Sequence, residues 1–147
     1  KYKIVFLGSS SVGKSAIIER FSQKRFDEER GVNVFEFSKL SELTLHEERY
    51  LRRTGLQVAV VGYCWTIKIQ KFDPTYIRDA HCAVFVFDTA SKESFQLLDT
   101  WVELFSDFKS EQAVTIMVGN KIDKVESREV SEEEALAKAD NYGMSYC

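Results

Sequence analysis

The sequence predicts an α/β fold with a mostly parallel, twisted sheet and helices on both faces. Three short apolar runs lack the alternation of a half-exposed strand and are typical of strands buried on both faces; they are residues 2–7, 82–87 and 114–118. Three segments carry apolar side chains at helical spacing; they are residues 15–21, 93–108 and 131–141. Because strands and helices alternate, we expect parallel strands joined by right-handed crossovers.

Two of the predicted helices begin with capping signals. Ser91 precedes the second helix and is followed by Ser94, which places a side-chain oxygen ahead of the first turn. Ser131 precedes Glu134 by the spacing of a capping box, in which each side chain bonds the other residue's backbone amide. Residues 143–147 then predict a last strand.

The segment between the first two apolar runs departs from this pattern. Residues 33–37 and 65–70 alternate polar and apolar side chains and are predicted to pair as antiparallel strands. Residues 39–64 would then be an insertion in the connector between those strands. Within the insertion, residues 43–61 fit either an extended hairpin or a short helix followed by a strand, and the pattern does not decide between them.

A phosphate-binding loop joins the first strand to the first helix. Residues 8–15 match the pattern G-x-x-x-x-G-K-[ST] in the strand-to-helix position that this motif requires. Its backbone amides can surround a polyphosphate, and the helix N-terminus adds its positive end. Lys14 would stabilise charge on the β- and γ-phosphates, and the Ser15 hydroxyl would hold Mg²⁺. The candidate contacts are Ser10, Ser11, Val12, Gly13, Lys14, Ser15 and Ala16. The alternative, a glycine-containing turn without a ligand, does not account for the Lys-Ser ending.

A second motif, Asn120-Lys121-Ile122-Asp123, follows the predicted strand 114–118. It therefore lies at the carboxyl end of a strand, where ligands bind in parallel sheets. The Asp123 carboxylate can accept hydrogen bonds from guanine N1–H and the exocyclic amine, whereas adenine offers no matching pair of donors. A wrong base would leave that acceptor unsatisfied, so the motif predicts a guanine nucleotide. An ordinary polar turn is the alternative.

Composition limits the size and the classes of partner. The 147 residues with 44% hydrophobic content suit one domain, which we predict over 1–147 and expect to be incomplete at both ends. The 20 basic and 23 acidic residues are mixed along the chain, and the net charge of −3 gives no electrostatic argument for nucleic acid. Cysteines at 64, 82 and 147 form no C-x-x-C pair and favour a reducing compartment. We interpret Cys82 and Cys147 as core residues.

With both motifs, the chain resembles the Ras superfamily of small GTPases and, within it, the Rab branch. Besides residues 8–15 and 120–123, the resemblance rests on residues 31–35, in place of the Rab-type G-[IV]-D-F strand. It also rests on residues 74–79 followed by 83–88, a pair that looks closest to Rabs of Golgi traffic. The resemblance implies the phosphate-loop fold of small G proteins with one antiparallel strand pair, and GTP or GDP with Mg²⁺ as ligands.

The same resemblance implies roles and partners. Asn120 and Lys121 would shape the base pocket, and Asp123 would recognise the guanine. Exchange factors, GTPase-activating proteins and effectors would be the protein partners. The protein would be cytoplasmic, on the cytosolic face of Golgi or endosomal membranes, and would reach the membrane only through a prenylated tail that this chain does not contain.

By resemblance, Asp73 falls where the family places the acidic residue that holds Mg²⁺ through water. It would end a strand predicted over 67–72. Asp73 and Pro74 also fit a helix N-cap followed by proline at the first helical position, so a purely structural role stays open.

Two shortages separate the chain from the family pattern. Pro74 follows Asp73 directly, where the family has a glycine that senses the γ-phosphate and a glutamine that orients the attacking water. Glu29 and Arg30 stand where the family has a threonine that coordinates Mg²⁺. Either the two switches are truncated, or two loops that are released in the diphosphate state are missing from the sequence.

We expect a molecular switch that binds GTP and hydrolyses it slowly to GDP and phosphate, provided that the missing switch residues exist. No arginine finger can be assigned, so fast turnover would need an activating protein. The alternative is a nucleotide-stabilised interaction module that binds GTP without hydrolysing it. A third possibility, an ATP-using phosphate-loop enzyme, predicts that ATP competes with GDP.

Overall fold

A computed structural model describes residues 2–23, 47–53, 56–62 and 77–147. The strands are β1 (Tyr2–Leu7), β2 (Glu47–Arg53), β3 (Leu56–Gly62), β4 (Cys82–Asp88), β5 (Val114–Asn120) and β6 (Ser145–Tyr146). The helices are α1 (Lys14–Gln23), α2 (Lys92–Gln96), α3 (Leu98–Ser106) and α4 (Glu132–Asn141).

The described strands form one sheet in the order β2-β3-β1-β4-β5-β6. β2 is antiparallel to β3, and each of the other neighbouring pairs is parallel. Because the parallel strands end at the same edge, the segments that follow β1, β4 and β5 meet there. The predicted mostly parallel α/β fold with one antiparallel pair is confirmed.

The antiparallel pair of the described residues is formed by β2 and β3. β2 and β3 pair from Glu47 opposite Gly62 to Arg53 opposite Leu56, and β3 borders β1. The predicted antiparallel strands, residues 33–37 and 65–70, lie outside the described residues. Within β3, residues 58–61 are a continuous apolar run, which is typical of a strand buried on both faces. Of the two alternatives for the predicted insertion, the hairpin is the correct one, and it belongs to the sheet.

The position of β3 also accounts for the apparent shortage before Pro74. The sequence interpretation predicted a strand that ended at residue 72, which left almost no chain for the loop before residue 77. With β3 ending at Gly62, residues 63–76 separate this strand from Ile77. Residues 24–46 similarly lie between α1 and β2. Missing loops are thus not needed to explain the sequence.

Two apolar clusters cover the two faces of the sheet. Neighbouring residues of β4 point in opposite directions, so Phe85 packs in the larger cluster with Trp101 and Phe105, while Val84 and Val86 pack in the smaller one. The Phe85 and Phe105 rings meet edge to face with centroids 5.8 Å apart. α3 and α4 supply the larger cluster, and Ile17 of α1 packs against the smaller. Helices thus lie on both faces.

The two interpreted core cysteines differ in their surroundings. Cys82 is half-buried against the smaller cluster, and this burial raises the pKa of its thiol. Cys147 is exposed, so its interpretation as a core residue is wrong. Its backbone extends the β6 pairing instead, because its amide donates to the Met117 carbonyl at 3.0 Å and its carbonyl accepts from the Gly119 amide at 3.0 Å.

The helix predicted over 93–108 is two helices, α2 and α3, separated at Leu97. The backbone of Leu97 keeps right-handed dihedrals of φ −65° and ψ −14°, so the apolar spacing continues across the break. Ser91 caps α2 by accepting a bond from the Ser94 amide, as predicted. Within the described residues, no helix combines the length and the apolar character that crossing a membrane requires.

The capping box of α4 is confirmed. Ser131 Oγ accepts from the Glu134 amide at 3.2 Å, and Glu134 Oε2 accepts from the Ser131 amide at 3.2 Å. The Glu134 carboxylate also pairs with Lys92 at the start of α2. Hydrogen bonds from Lys92 and then Ser131 lower the pKa of Glu134.

Replacing Ser131 with alanine is expected to lower the free energy of unfolding by about 1 kcal/mol, because the Glu134 amide loses its acceptor. Urea unfolding at neutral pH measures the change. The exposed Ser110, replaced in the same way, is the matched control and should leave the midpoint unchanged. Equal midpoints for Ser131→Ala and wild type would contradict a stabilising cap.

Candidate nucleotide-binding site

The phosphate loop packs against β4 at its first glycine. A Cβ atom built on Gly8 would lie 2.2 Å from the Val86 carbonyl oxygen, well inside contact distance. The loop therefore leaves β1 with its backbone pressed against the neighbouring strand. Only glycine permits this approach.

The second glycine brings the loop against β5. Gly13 has φ +101°, and a Cβ atom there would lie 2.0 Å from Asn120 Nδ2. The Asn120 amide donates instead to the Val12 carbonyl at 2.8 Å. This bond joins the two predicted motifs, which are distant in sequence, into one site.

Lys14 is buried within the loop, with 6% of its surface exposed. Its ammonium donates to the Gly8 carbonyl at 2.8 Å and to the Ser9 carbonyl. The first helical hydrogen bond of α1 runs from the Ile17 amide to the Gly13 carbonyl at 3.0 Å. The amides at residues 14–16 precede that bond and can therefore donate to an anion.

The carboxyl ends of β4 and β5 hold the second motif in place. Asp88 Oδ2 accepts from Lys121 Nζ at 2.6 Å. The Thr89 amide donates to the Asn120 carbonyl at 3.0 Å, and the Thr89 hydroxyl donates to the Lys121 carbonyl at 3.2 Å. These contacts hold Lys121 at φ +62°, a left-handed conformation that side chains disfavour.

The structure brings together part of the predicted site. Val12, Gly13 and Asn120 are in contact, as the hydrogen bond and the close approach above show. Ser10, Ser11, Ser15 and Asp123 have exposed side chains, and Ala16 is half-buried. Asp73 lies outside the described residues.

Sequence interpretation missed the roles of Asp88 and Thr89. Both are buried, with 8% and 3% of their surfaces exposed. The available signal was an Asp-Thr pair directly after an apolar strand, at the same sheet edge as both motifs. It was overlooked because neither residue belongs to a nucleotide-binding pattern.

The Ras family model matches residues 3–147. The chain belongs to the Ras family. It is 30% identical to Ras-related protein Rab-18 of Lymnaea stagnalis over 98% of this chain and 68% of that protein. It is also 26% identical to Ras-related protein Rab-30 of Homo sapiens and to that of Bos taurus, over 99% of this chain and 68% of each relative. The Rab likeness predicted from the motifs is confirmed, and Ras-family membership implies guanine-nucleotide binding.

The described residues do not by themselves fit the magnesium site that the Ras family implies. Phosphate-loop GTPases hold Mg²⁺ with the loop Ser or Thr and with an aspartate on a neighbouring strand. Here β3 ends beside β1 with Gly62 opposite Phe6, and its last three residues are Val60, Val61 and Gly62, none with a side-chain oxygen. No cluster of three His, Cys, Asp or Glu residues occurs in the part of the chain that the structure describes. The sequence predicted Asp73 at the end of a strand, but the strand that lies beside β1 ends in Val60, Val61 and Gly62.

Replacing Gly13 with alanine is expected to weaken GDP binding at least about tenfold, because the new methyl group overlaps the Asn120 amide and breaks the bond to Val12. Titration with fluorescent GDP measures the affinity. Gly143→Ala is the matched control, since Gly143 also has positive φ, +64°, but open space around it. Unchanged affinity in Gly13→Ala would contradict the joining of the two motifs.

Proposed function

We propose that this chain binds GTP and GDP and acts as a Rab-like molecular switch. The observation that carries the proposal is the hydrogen bond from Asn120 to the Val12 carbonyl, since it sets the base-recognising motif directly against the phosphate loop. A phosphate loop alone would suit any nucleoside triphosphate. The contact with the Asn-Lys-x-Asp motif favours guanine over adenine, and so argues against an ATP-using enzyme.

In this proposal, different residues of the chain contact the phosphates, the base and the metal ion. The amides of residues 10–16 and the Lys14 ammonium surround the phosphates and stabilise charge that develops on the β- and γ-oxygens during hydrolysis. Asp123 accepts from the guanine, while Asn120 and Lys121 shape the base pocket. Ser15 stays a predicted contact of Mg²⁺, which would neutralise phosphate charge when bound, and Asp73, the other predicted contact, lies outside the described residues.

The finer biological role follows from the Rab resemblance. We propose exchange factors, GTPase-activating proteins and effectors as partners, and a role in vesicle traffic at Golgi or endosomal membranes. Attachment would use a prenylated tail. No arginine finger can be assigned in the sequence, so we propose that fast turnover needs an activating protein.

A second candidate function is a module that binds guanine nucleotide without hydrolysing it. The observation that favours it is the apolar end of β3, where residues 60–62 supply no carboxylate. Such a module would keep the contacts of Lys14, Asn120 and Asp123. Its bound nucleotide would stabilise the fold without reporting a change of state.

The base-recognition proposal predicts that Asp123→Asn shifts preference from guanine towards xanthine nucleotides, because the amide can donate to the xanthine 2-oxo group. Competition of GDP and xanthosine diphosphate against fluorescent GDP measures the shift, which we expect to reach at least about tenfold. The exposed Asp107, replaced with asparagine, is the control. An unchanged preference in Asp123→Asn would overturn guanine recognition by this residue.

Single-turnover hydrolysis separates the two candidate functions. A switch should release phosphate from bound GTP at about 10⁻⁴ s⁻¹ without an activating protein. That rate should fall when Mg²⁺ is chelated and when Asp73 is replaced with asparagine. A binding module should retain intact GTP over hours in the wild-type protein, after Mg²⁺ is chelated, and in Asp73→Asn. Phosphate release that is insensitive to Lys14→Ala would indicate a contaminating enzyme and contradict hydrolysis at this site.

A further inference from the structure

The ion pair between Asp88 and Lys121 lies at the carboxyl ends of β4 and β5. Asp88 Oδ2 and Lys121 Nζ are 2.6 Å apart, and the two side chains are 11% and 27% exposed. Asp88 Oδ1 is also engaged, because it accepts from the Ala90 amide at 2.9 Å. Both carboxylate oxygens therefore have partners, one charged and one neutral. The neutral bond orients the carboxylate, and the charged bond fixes the ammonium.

We propose that Asp88 is a positioning residue for guanine-nucleotide binding and acts through Lys121. The inference rests on the proposed nucleotide site and deepens it. Asp88 is opposite Asn120 in the strand register, so it lies directly beside the start of the base-recognising motif. Its carboxylate holds the Lys121 ammonium against the end of β4, which fixes the long side chain within the motif that meets the base.

The backbone around Lys121 supports positioning rather than a passive surface contact. Thr89 holds the carbonyls of Asn120 and Lys121, and Lys121 keeps a left-handed conformation. A flexible lysine held at both its backbone and its ammonium loses most of its rotamer freedom before a ligand arrives. Nucleotide binding then does not have to order this side chain, which favours affinity and slow release.

The amide bonds on the other side of Asp88 explain why its carboxylate keeps one orientation. The Asp88 amide donates to Ser94 Oγ at 3.0 Å, and the Ser94 hydroxyl donates to the Ser91 carbonyl at 2.8 Å. The start of α2 therefore anchors the end of β4. The carboxylate that meets Lys121 is attached to a backbone with little freedom.

A second ion pair in the molecule offers a comparison. Lys138 Nζ lies 2.8 Å from Asp99 Oδ1, and this pair links α4 to α3 without contacting either motif. Both carboxylates pair with a lysine and accept one more hydrogen bond, which Asp99 receives from the Tyr142 hydroxyl at 2.8 Å. A variant at Asp99, whose side chain is 46% exposed, therefore removes a lysine–aspartate ion pair away from the nucleotide site.

The experiment replaces Asp88 with asparagine, which keeps an oxygen for the Ala90 amide but removes the charge that holds Lys121. Release of fluorescent GDP should become about tenfold faster, the change expected from one lost charge-assisted hydrogen bond. Asp88→Glu, which keeps the charge, should release GDP more slowly than Asp88→Asn. Asp99→Asn should lower the thermal midpoint and leave the GDP release rate within about twofold of wild type.

A double-mutant cycle tests the route of the effect. In a Lys121→Met background, Asp88→Asn should change the release rate by less than about twofold, because the ammonium that Asp88 holds is gone. The inference is overturned if Asp88→Asn releases GDP at the wild-type rate, or if its effect persists in full without Lys121. If Asp88→Asn does not fold, equal release by Asp88→Glu and Lys121→Met overturns it, and slower release by Asp88→Glu supports it. Failure of the wild-type protein to bind GDP would overturn the proposed function as well, and so differs from these outcomes.

Discussion

The close packing of the phosphate loop against β4 and β5 is the constraint on which the site depends. Gly8 brings the loop against the Val86 carbonyl, and Gly13 brings it against Asn120. Parallel strands make this possible, because their carboxyl ends lie at one edge of the sheet. Residues that are more than a hundred positions apart in sequence thereby share one hydrogen bond, from Asn120 to Val12. The fold aligns the strand ends, and the two glycines allow the loop backbone to approach them closely.

Local signals predicted much of the fold, because they report interactions within a few residues. The phosphate loop, the capping box of Ser131 and Glu134, and the strands β1, β4 and β5 each depend on short patterns. The strands beside β1 could not be placed in this way. The sequence prediction favoured the alternating segments 33–37 and 65–70 over the apolar run in 58–61, because the pairing of that run with β1 is a contact distant in sequence. Choosing the alternating segments displaced the strand end by about ten residues, and this produced the apparent shortage of chain before Pro74.

The candidate site was predictable where a single residue type carries the chemistry. Lys14 and Asn120 could be named because the patterns around them have few alternatives. Asp88 and Thr89 could not, since an acidic residue after a strand is as easily a helix-capping residue as part of a ligand site. Asp88 in fact makes two contacts: it accepts from the Ala90 amide in the turn before α2, and it holds the Lys121 ammonium. Such dual use leaves no pattern in sequence, because the second partner comes from another strand.

The two strands that border β1 differ in the side chains at their carboxyl ends. The side chains that support binding lie on the phosphate loop and at the ends of β4 and β5, where contacts between the strands fix them. The strand on the other side of β1 ends in Val60, Val61 and Gly62, residues that cannot bind a metal or a phosphate through their side chains. The contacts between Val12, Asn120, Lys121 and Asp88 therefore do not depend on a side chain at the end of β3. Membership in the Ras family follows from the match over residues 3–147, whereas the described end of β3 offers no side chain that argues for hydrolysis.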